Sequence, residues 1–427
     1  MIILVMGGKL MSELIVNGGR KLHGTIDVHG AKNSILPILA ATVLCSGQCV
    51  LHNCPNLSDV DVSLEILNEL GCVCERAEDD IFVDASYVNN FCIRDELMRK
   101  MRSSIVFLGA ILGRMGRAVI SNPGGCELGP RPIDLHISAL KKLGAVSVEE
   151  HGYLSFLAPN GLFGNEIYLT MPSVGATENA ILASVLAKNK TVIRNAAREP
   201  EITDLANFLN SAGAKIYGAG TDTVTVIGVK RLDSTEHKII PDRIVAATYM
   251  AAAAITGGNI ALNNINTAHL TSEISVFKDA GCNIEIEKNK LHISTNGRLK
   301  AVPTIRTMAY PGFPTDAGPI VIAMLSLAEG TTVFVENIFQ SRYKYVDELN
   351  RFGANIKTEG KIAVIEGVER FYAANCQCTD LRGGAAILLA SLASNGETKI
   401  KKICYIKRGY ENIQENLQML GADIKEI

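Results

Sequence analysis

Two apolar patterns alternate along the chain. The first is short and amphipathic, stops at a glycine, and runs on into alternating apolar and polar positions. It occurs as LNELGCVCE (67–75), LKKLGAVSV (140–148), LNSAGAKIY (209–217), FKDAGCNIE (277–285), LNRFGANIK (349–357) and LQMLGADIK (417–425). Its glycines, Gly71, Gly144, Gly213, Gly281, Gly353 and Gly421, stand 68 to 73 residues apart. Each phrase predicts the end of an amphipathic helix, a glycine able to take positive φ, and a strand.

The second pattern is apolar nearly all round and rich in Ala and Leu. Examples are ILPILAATVLCSGQCVLHNC (35–54), ENAILASVLAKNKTVIRNAA (178–197), IVAATYMAAAAITGGNIALNN (244–264) and PIVIAMLSLAEGTTVFVEN (319–337). A helix with no polar face belongs inside a fold. One repeat thus predicts a buried helix, a strand, an amphipathic helix and a strand pair such as KIYGAGTDTVTVIGV (215–229).

Six such α/β units are too many for one layered domain, and their period exceeds that of common solenoids. The pattern predicts two globular α/β domains of three units each, with 30–240 forming one and 11–29 plus 241–427 the other. The break is placed near the polar stretch KRLDSTEHKIIPDR (230–243), and SELIVNGGRKLHGTIDVHG (12–30) is expected to supply strands to the second domain.

Composition narrows the function. The chain of 427 residues is 47% hydrophobic and 20% charged, with a formal net charge of −2. No block of five like charges occurs, so nothing marks it for nucleic acid or a membrane surface. The longest apolar run, Ile244–Ile255, is short of the roughly 18 residues of a membrane span. MIILVMGGKL has no basic leader, so no secretory signal is expected; residues 1–10 read as an extension ahead of Met11. Eleven cysteines in mostly apolar settings fit a reducing, cytoplasmic compartment. The C-x-C pairs 72/74 and 376/378 lack zinc-site spacing and read as packing on one sheet face. Walker A, strand-led G-x-G-x-x-G and H-E-x-x-H patterns are missing from the sequence.

Chemistry is sought where charge meets glycine. SNPGGCELGPRP (121–132) sets Cys126 among Gly124, Gly125 and Gly129, with Arg131 five residues on. Such a thiol is exposed and near a cation, suited to act as general acid or nucleophile. Lys32 and Asn33 in GAKNSILP precede a buried helix, where Lys32 either meets an anion or is a solvated turn lysine. Arg102 in KMRSS and Arg408 in IKRGYEN stand in similar places. Asp316 in AYPGFPTDAGP reads as a helix cap or a base. His136 in IDLHIS reads as structural.

Taken in order, GAKN, KMRSS, PGGCELGPRPIDLH, PSVGATEN, NAAREPEI, FPTD, TDLRGG and RGYE closely resemble the UDP-N-acetylglucosamine branch of the enolpyruvyl transferase family, across nearly the whole chain. The resemblance implies two inverted α/β-barrel-like domains, each of three repeated units with buried helices and outer sheets. It implies transfer of the enolpyruvyl group of phosphoenolpyruvate to the 3′-hydroxyl of UDP-N-acetylglucosamine by addition and elimination, with no metal or organic cofactor. Cys126 matches the family's loop cysteine, which protonates phosphoenolpyruvate and is alkylated by fosfomycin. Asp316 matches the proposed base. Lys32, Arg131 and Arg408 match residues around the phosphate and carboxylate, with Arg102 and Arg342 as further family arginines. Asn33, Asp134, Ser173, Val174 and Gly175 match parts that bind or frame the UDP-sugar, and Ile338 is also assigned to substrate binding.

Two positions depart from the family pattern. Met171 stands where some relatives carry lysine, and Gly318 where glutamine is usual; both bear on substrate affinity. The rival readings are the shikimate-pathway enolpyruvyl transferase and a paralogue that binds UDP-sugar without turnover.

Overall fold

The structure, a computed structural model, describes residues 12–121 and 133–427. All six glycines that end the amphipathic phrases have φ between 92° and 102°. At Gly144, Gly213, Gly281 and Gly421 an added Cβ would meet nothing within 4 Å. Backbone conformation, and not crowding, therefore demands glycine at these four. The helices they terminate are Ser58–Glu69, Asp134–Lys142, Pro200–Ser211, Thr271–Asp279, Val346–Arg351 and Ile413–Met419. Each runs through its glycine into a strand, from Val73–Ala77 in the first unit to Asp423–Glu426 in the last.

Six further helices fill the interior: α1 (Lys32–Thr42), α2 (Phe107–Met115), α3 (Val174–Ser184), α4 (Arg243–Thr256), α5 (Gly318–Leu325) and α6 (Leu381–Ala393). Every residue of α4 from Arg243 to Ile255 is buried, as its unbroken apolar run predicts. Helix α2 packs on α1 and α3, while α4, α5 and α6 pack on one another in all three pairings. The α2–α3 crossing is close because Gly109 has no side chain: a Cβ there would stand 2.5 Å from the Asn179 carbonyl oxygen.

Sheets cover these helices. Five have four strands, one has three, and two are two-stranded, among the described residues. A typical one places Lys190–Arg194 between parallel Glu166–Tyr168 and antiparallel Thr223–Ile227, with Lys215–Tyr217 beyond. The early strand Leu14–Asn17 lies antiparallel to both Glu397–Lys401 and Asp423–Glu426, and His23–Asp27 runs parallel to Asn259–Asn263. Segment 12–30 thus completes sheets whose other strands come late in the chain.

The polar stretch 230–243 departs from the expectation of a plain break. Leu232–Asp233 pairs with Cys45–Ser46 and Glu236–Lys238 with Gln48–His52, both parallel. An edge strand bonds through its backbone and keeps polar side chains toward water, which is why the composition hid it.

Buried apolar side chains gather into two cores, one drawn from residues 35–239 and the other from 14–28 and 245–424. The chain crosses between them twice, and the crossings are bonded together. Ala31 N–H donates to the Ile240 carbonyl at 2.7 Å and Asp242 N–H to that of His29 at 2.9 Å. At Gly30, within this pair, an added Cβ would stand 1.9 Å from the Asn53 carbonyl oxygen, so no side chain fits.

Most cysteines among the described residues are buried and behave as packing residues. Burial pushes the thiols of Cys54, Cys72 and Cys74 up to about 12. Among the described residues no group of three or more His, Cys, Asp or Glu side chains is arranged to hold a metal ion.

Candidate active site

Two interior helices, α1 and α6, carry charges of the site in their first turns. Lys32 opens α1 and is 7% exposed, so it is not the solvated turn lysine that was one reading of GAKN. Its Nζ lies 2.7 Å from Asp59 Oδ2. Burial pushes the Lys32 amine below its ordinary value, Asp59 opposes this, and the charges of Arg408 and Arg382 push it down further. Asp59, in the first turn of Ser58–Glu69, is also buried. Burial pushes its carboxyl up, but Lys32 and Arg408 together hold it below the usual range.

Arg408 follows the short helix Cys404–Lys407 and belongs with the other core. Its Nε donates to Asp59 Oδ1 at 2.9 Å and its Nη2 to Oδ2 at 3.2 Å. Two cations expected at a phosphate, from segments packed in different cores, thus meet on one carboxylate.

Asp316 sits in the single 3-10 turn Thr315–Ala317 that runs straight into α5. It caps neither element, which corrects the capping alternative: the N-cap positions fall on Pro314 and Ala317, and neither element has a side-chain cap bond. Its carboxylate instead accepts from Arg342 Nη2 at 3.1 Å and from Arg382 Nε at 3.3 Å. Arg342, 2% exposed, also donates to the Thr315 carbonyl at 3.1 Å. Arg382 opens α6 with its guanidinium 5.4 Å from the Tyr410 ring centre. Asp380 caps that helix by accepting from the N–H groups of Arg382 and Gly383.

A third group gathers around His136. Asp134 is exposed at the head of Asp134–Lys142, and His136 is buried behind it. Asn179 Oδ1 accepts from Gly109 N–H at 2.6 Å, so its Nδ2 is the donor facing His136 Nδ1 at 2.8 Å. That assigns the imidazole proton to Nε2. Burial, then the charge of Arg102, push His136 down to about 4, leaving a neutral ring at pH 7. Ser173 caps α3 by accepting from Ala176 N–H at 3.4 Å, with Val174 and Gly175 next in the first turn. A Cβ on Gly175 would stand 3.0 Å from His136 Cε1. His136 thus underlies the Ser173–Gly175 turn.

The remaining assignments separate. Asn33 is exposed beside Lys32 and makes no side-chain hydrogen bond among the described residues. Ile338 is 38% exposed, its N–H held by Glu336 Oε1 at 2.7 Å. Met171 is exposed, and Gly318 is packed so that a Cβ would lie 3.0 Å from Phe334 Cζ. Cys126 and Arg131 lie outside the described residues.

Three groups were missed in the sequence. Asp59 looked like any acidic residue in a first helical turn, and Asp242 like part of a polar linker. Arg382 had a usable signal, since it opens an apolar helix as Lys32 does.

The family model for EPSP synthase (3-phosphoshikimate 1-carboxyvinyltransferase) matches residues 16–417. The chain belongs to this family of enolpyruvyl transferases. A UDP-N-acetylglucosamine 1-carboxyvinyltransferase 2 of Caldanaerobacter subterraneus subsp. tengcongensis is 51% identical over 98% of this chain and 100% of its own. A UDP-N-acetylglucosamine 1-carboxyvinyltransferase 1 of Symbiobacterium thermophilum is 46% identical over 97% of this chain and 95% of its own. Among solved structures, the enolpyruvyl transferase NikO from Streptomyces tendae matches with a TM-score of 0.89 at 22% identity, covering 97% of this chain and 99% of that one. An EPSP synthase from Acinetobacter baumannii matches with a TM-score of 0.73 at 19% identity, covering 98% and 100%. This chain shares the mixed α/β fold of these two enolpyruvyl transferases.

Proposed function

We propose that this enolpyruvyl transferase moves the enolpyruvyl group of phosphoenolpyruvate to the 3′-hydroxyl of UDP-N-acetylglucosamine and releases phosphate, the first committed step of peptidoglycan synthesis. The observation that carries the reading is full-length identity of 51% and 46% to relatives named for that reaction, against 19% to the EPSP synthase structure. The meeting of Lys32 and Arg408 from different cores supports it independently. A small dianion that is also a carboxylate needs several fixed cations, and they should be buried enough to act in a low dielectric.

In this reading the sugar oxygen bonds to C2 of phosphoenolpyruvate while its proton passes to Asp316, and Cys126 gives a proton to C3. The tetrahedral adduct then returns a C3 proton to the Cys126 thiolate and expels phosphate, which carries off the proton held by Asp316, restoring the double bond and both groups. Lys32, Arg131 and Arg408 hold the phosphate and carboxylate, with Arg102 and Arg342 assisting. Arg342 and Arg382 fix the Asp316 carboxylate, so that its orientation does not depend on substrate. Asn33, Asp134, Ser173, Val174, Gly175 and Ile338 frame the UDP-sugar. Fosfomycin alkylates Cys126 in the same site.

The two cores support domains of residues 30–240 and of 11–29 with 241–427, which close on substrate. Among the described residues no helix is long and apolar enough to cross a membrane, which agrees with a cytoplasmic enzyme.

Reversible addition makes a direct test. In D2O with UDP-N-acetylglucosamine, remaining phosphoenolpyruvate should gain deuterium at C3, and the sugar nucleotide should gain the mass of an enolpyruvyl group. Neither change in folded protein would refute the reading. Cys126→Ser should lose most turnover and all fosfomycin labelling by intact mass, whereas Cys126→Asp should keep some turnover and escape the drug.

A further inference from the structure

We propose that Asp59 is a positioning residue of the phosphoenolpyruvate site: its one carboxylate holds Lys32 and Arg408, contributed by opposite cores, at a common point and keeps the lysine charged. This rests on the functional reading above, and it adds a residue that the motifs did not mark.

The geometry is specific. Lys32 Nζ stands 2.7 Å from Oδ2, Arg408 Nε 2.9 Å from Oδ1, and Arg408 Nη2 3.2 Å from Oδ2. Both oxygens are used, and the bond to Arg408 spans 349 residues of chain. Asp59 is 3% exposed and Lys32 is 7%, so neither charge has water to fall back on.

The groups around the ammonium act in opposite senses. From Ser58–Glu69, Asp59 favours the proton on Lys32. From α6 Arg382, and from beyond Cys404–Lys407 Arg408, oppose it, as does burial. Asp242, at the start of α4, is bonded to the Lys32 backbone N–H. Among the described residues that bear on its charge, Asp59 alone both touches Nζ and carries a negative charge. Without it, burial and two guanidinium groups would act unopposed, and the amine would release its proton at lower pH. Asp59 makes no bond to reacting atoms in this account; it acts through the two cations.

The test compares Asp59→Asn and Asp59→Glu with wild type in full-length protein. Two readouts are needed: the pH profile of phosphate release with phosphoenolpyruvate and UDP-N-acetylglucosamine varied in turn, and the pH midpoint of Lys32 modification by acetic anhydride, followed by peptide mass. For Asp59→Asn the expected loss in kcat/KM for phosphoenolpyruvate is roughly a hundredfold. KM for UDP-N-acetylglucosamine should change by less than about threefold. The alkaline limb and the Lys32 midpoint should both move to lower pH by about a unit or more. Asp59→Glu keeps the charge but shifts its place, so its alkaline limb should stay as in wild type while KM for phosphoenolpyruvate rises about tenfold. Folded Asp59→Asn with an unmoved Lys32 midpoint would overturn the proposal. If that variant does not fold, an unchanged KM for phosphoenolpyruvate in Asp59→Glu overturns it. A wild type that releases no phosphate would instead defeat the functional reading, and the modification midpoint, read without turnover, keeps the two failures apart.

Discussion

Asp242 accepts the backbone N–H of Lys32 at 3.0 Å although 210 residues separate them. Its other oxygen accepts from Ile244 N–H at 2.8 Å and Val245 N–H at 3.0 Å. One carboxylate therefore caps α4 and also catches the start of α1, where the chain crosses between cores. Loss of a cap together with a buried bond should cost about 1–3 kcal/mol in Asp242→Ala, and less in Asp242→Asn. Urea unfolding midpoints check this, and equal midpoints for wild type and Asp242→Ala would contradict it.

Glu178 on α3 is pushed up to about 8 by burial, then by Glu201 and Glu199. The native state keeps this proton between pH 4.5 and about 8, a range in which the unfolded chain releases it. The stabilisation is fully present below pH 4.5 and declines as pH rises toward 8. Its size is on the order of a few kcal/mol at most. Glu178→Gln mimics the protonated acid and should be more stable than wild type at pH 9, with the difference vanishing toward pH 4.5. Unfolding midpoints for the pair across this range test the sign.

Gly175→Ala sets two effects against each other. Helix propensity favours alanine by about 1 kcal/mol, whereas the contact 3.0 Å from His136 Cε1 opposes it by about 1–3 kcal/mol. The net loss of stability should be at most about 2 kcal/mol. The His136 ring is tethered to Asn179, so the Ser173–Gly175 turn gives way instead. KM for UDP-N-acetylglucosamine should rise severalfold while KM for phosphoenolpyruvate holds; equal changes in both would argue against His136 supporting the sugar-nucleotide side.

Gly318 is matched to Phe334, whose ring fills the space a side chain would take and packs edge-on to Phe313 at 6.1 Å. Installing the usual family residue alone, Gly318→Gln, should destabilise by about 1–3 kcal/mol. Combined with Phe334→Leu it should cost less than the two single changes summed, by about 1 kcal/mol. Additive costs in a thermal-unfolding cycle would show that the two positions are independent.

Much of this fold is legible in one phrase. Helix, glycine and alternating strand recur because positive φ is a local demand, and the six glycines meet it whatever their tertiary surroundings. The interior helices are equally plain, since an all-round apolar segment has nowhere else to go. Edge strands such as Glu236–Lys238 carry no such mark, because their pairing uses backbone groups that every residue has.

The site divides along the same line. Lys32, Arg408 and Asp316 announce themselves as charges beside glycine or ahead of apolar helices. Asp59 does not, because every one of the six amphipathic helices has an acidic residue in its first turn, as the helix dipole favours. What distinguishes Asp59 is burial between two cations, and burial is set by the packing of segments far apart in the chain.

The central claim is tested most directly by phosphate release from phosphoenolpyruvate with UDP-N-acetylglucosamine as acceptor, beside a parallel assay with shikimate 3-phosphate. Release with the sugar nucleotide and none with the shikimate ester is the predicted result. Release with the shikimate ester alone, or with neither acceptor from folded protein, would contradict it.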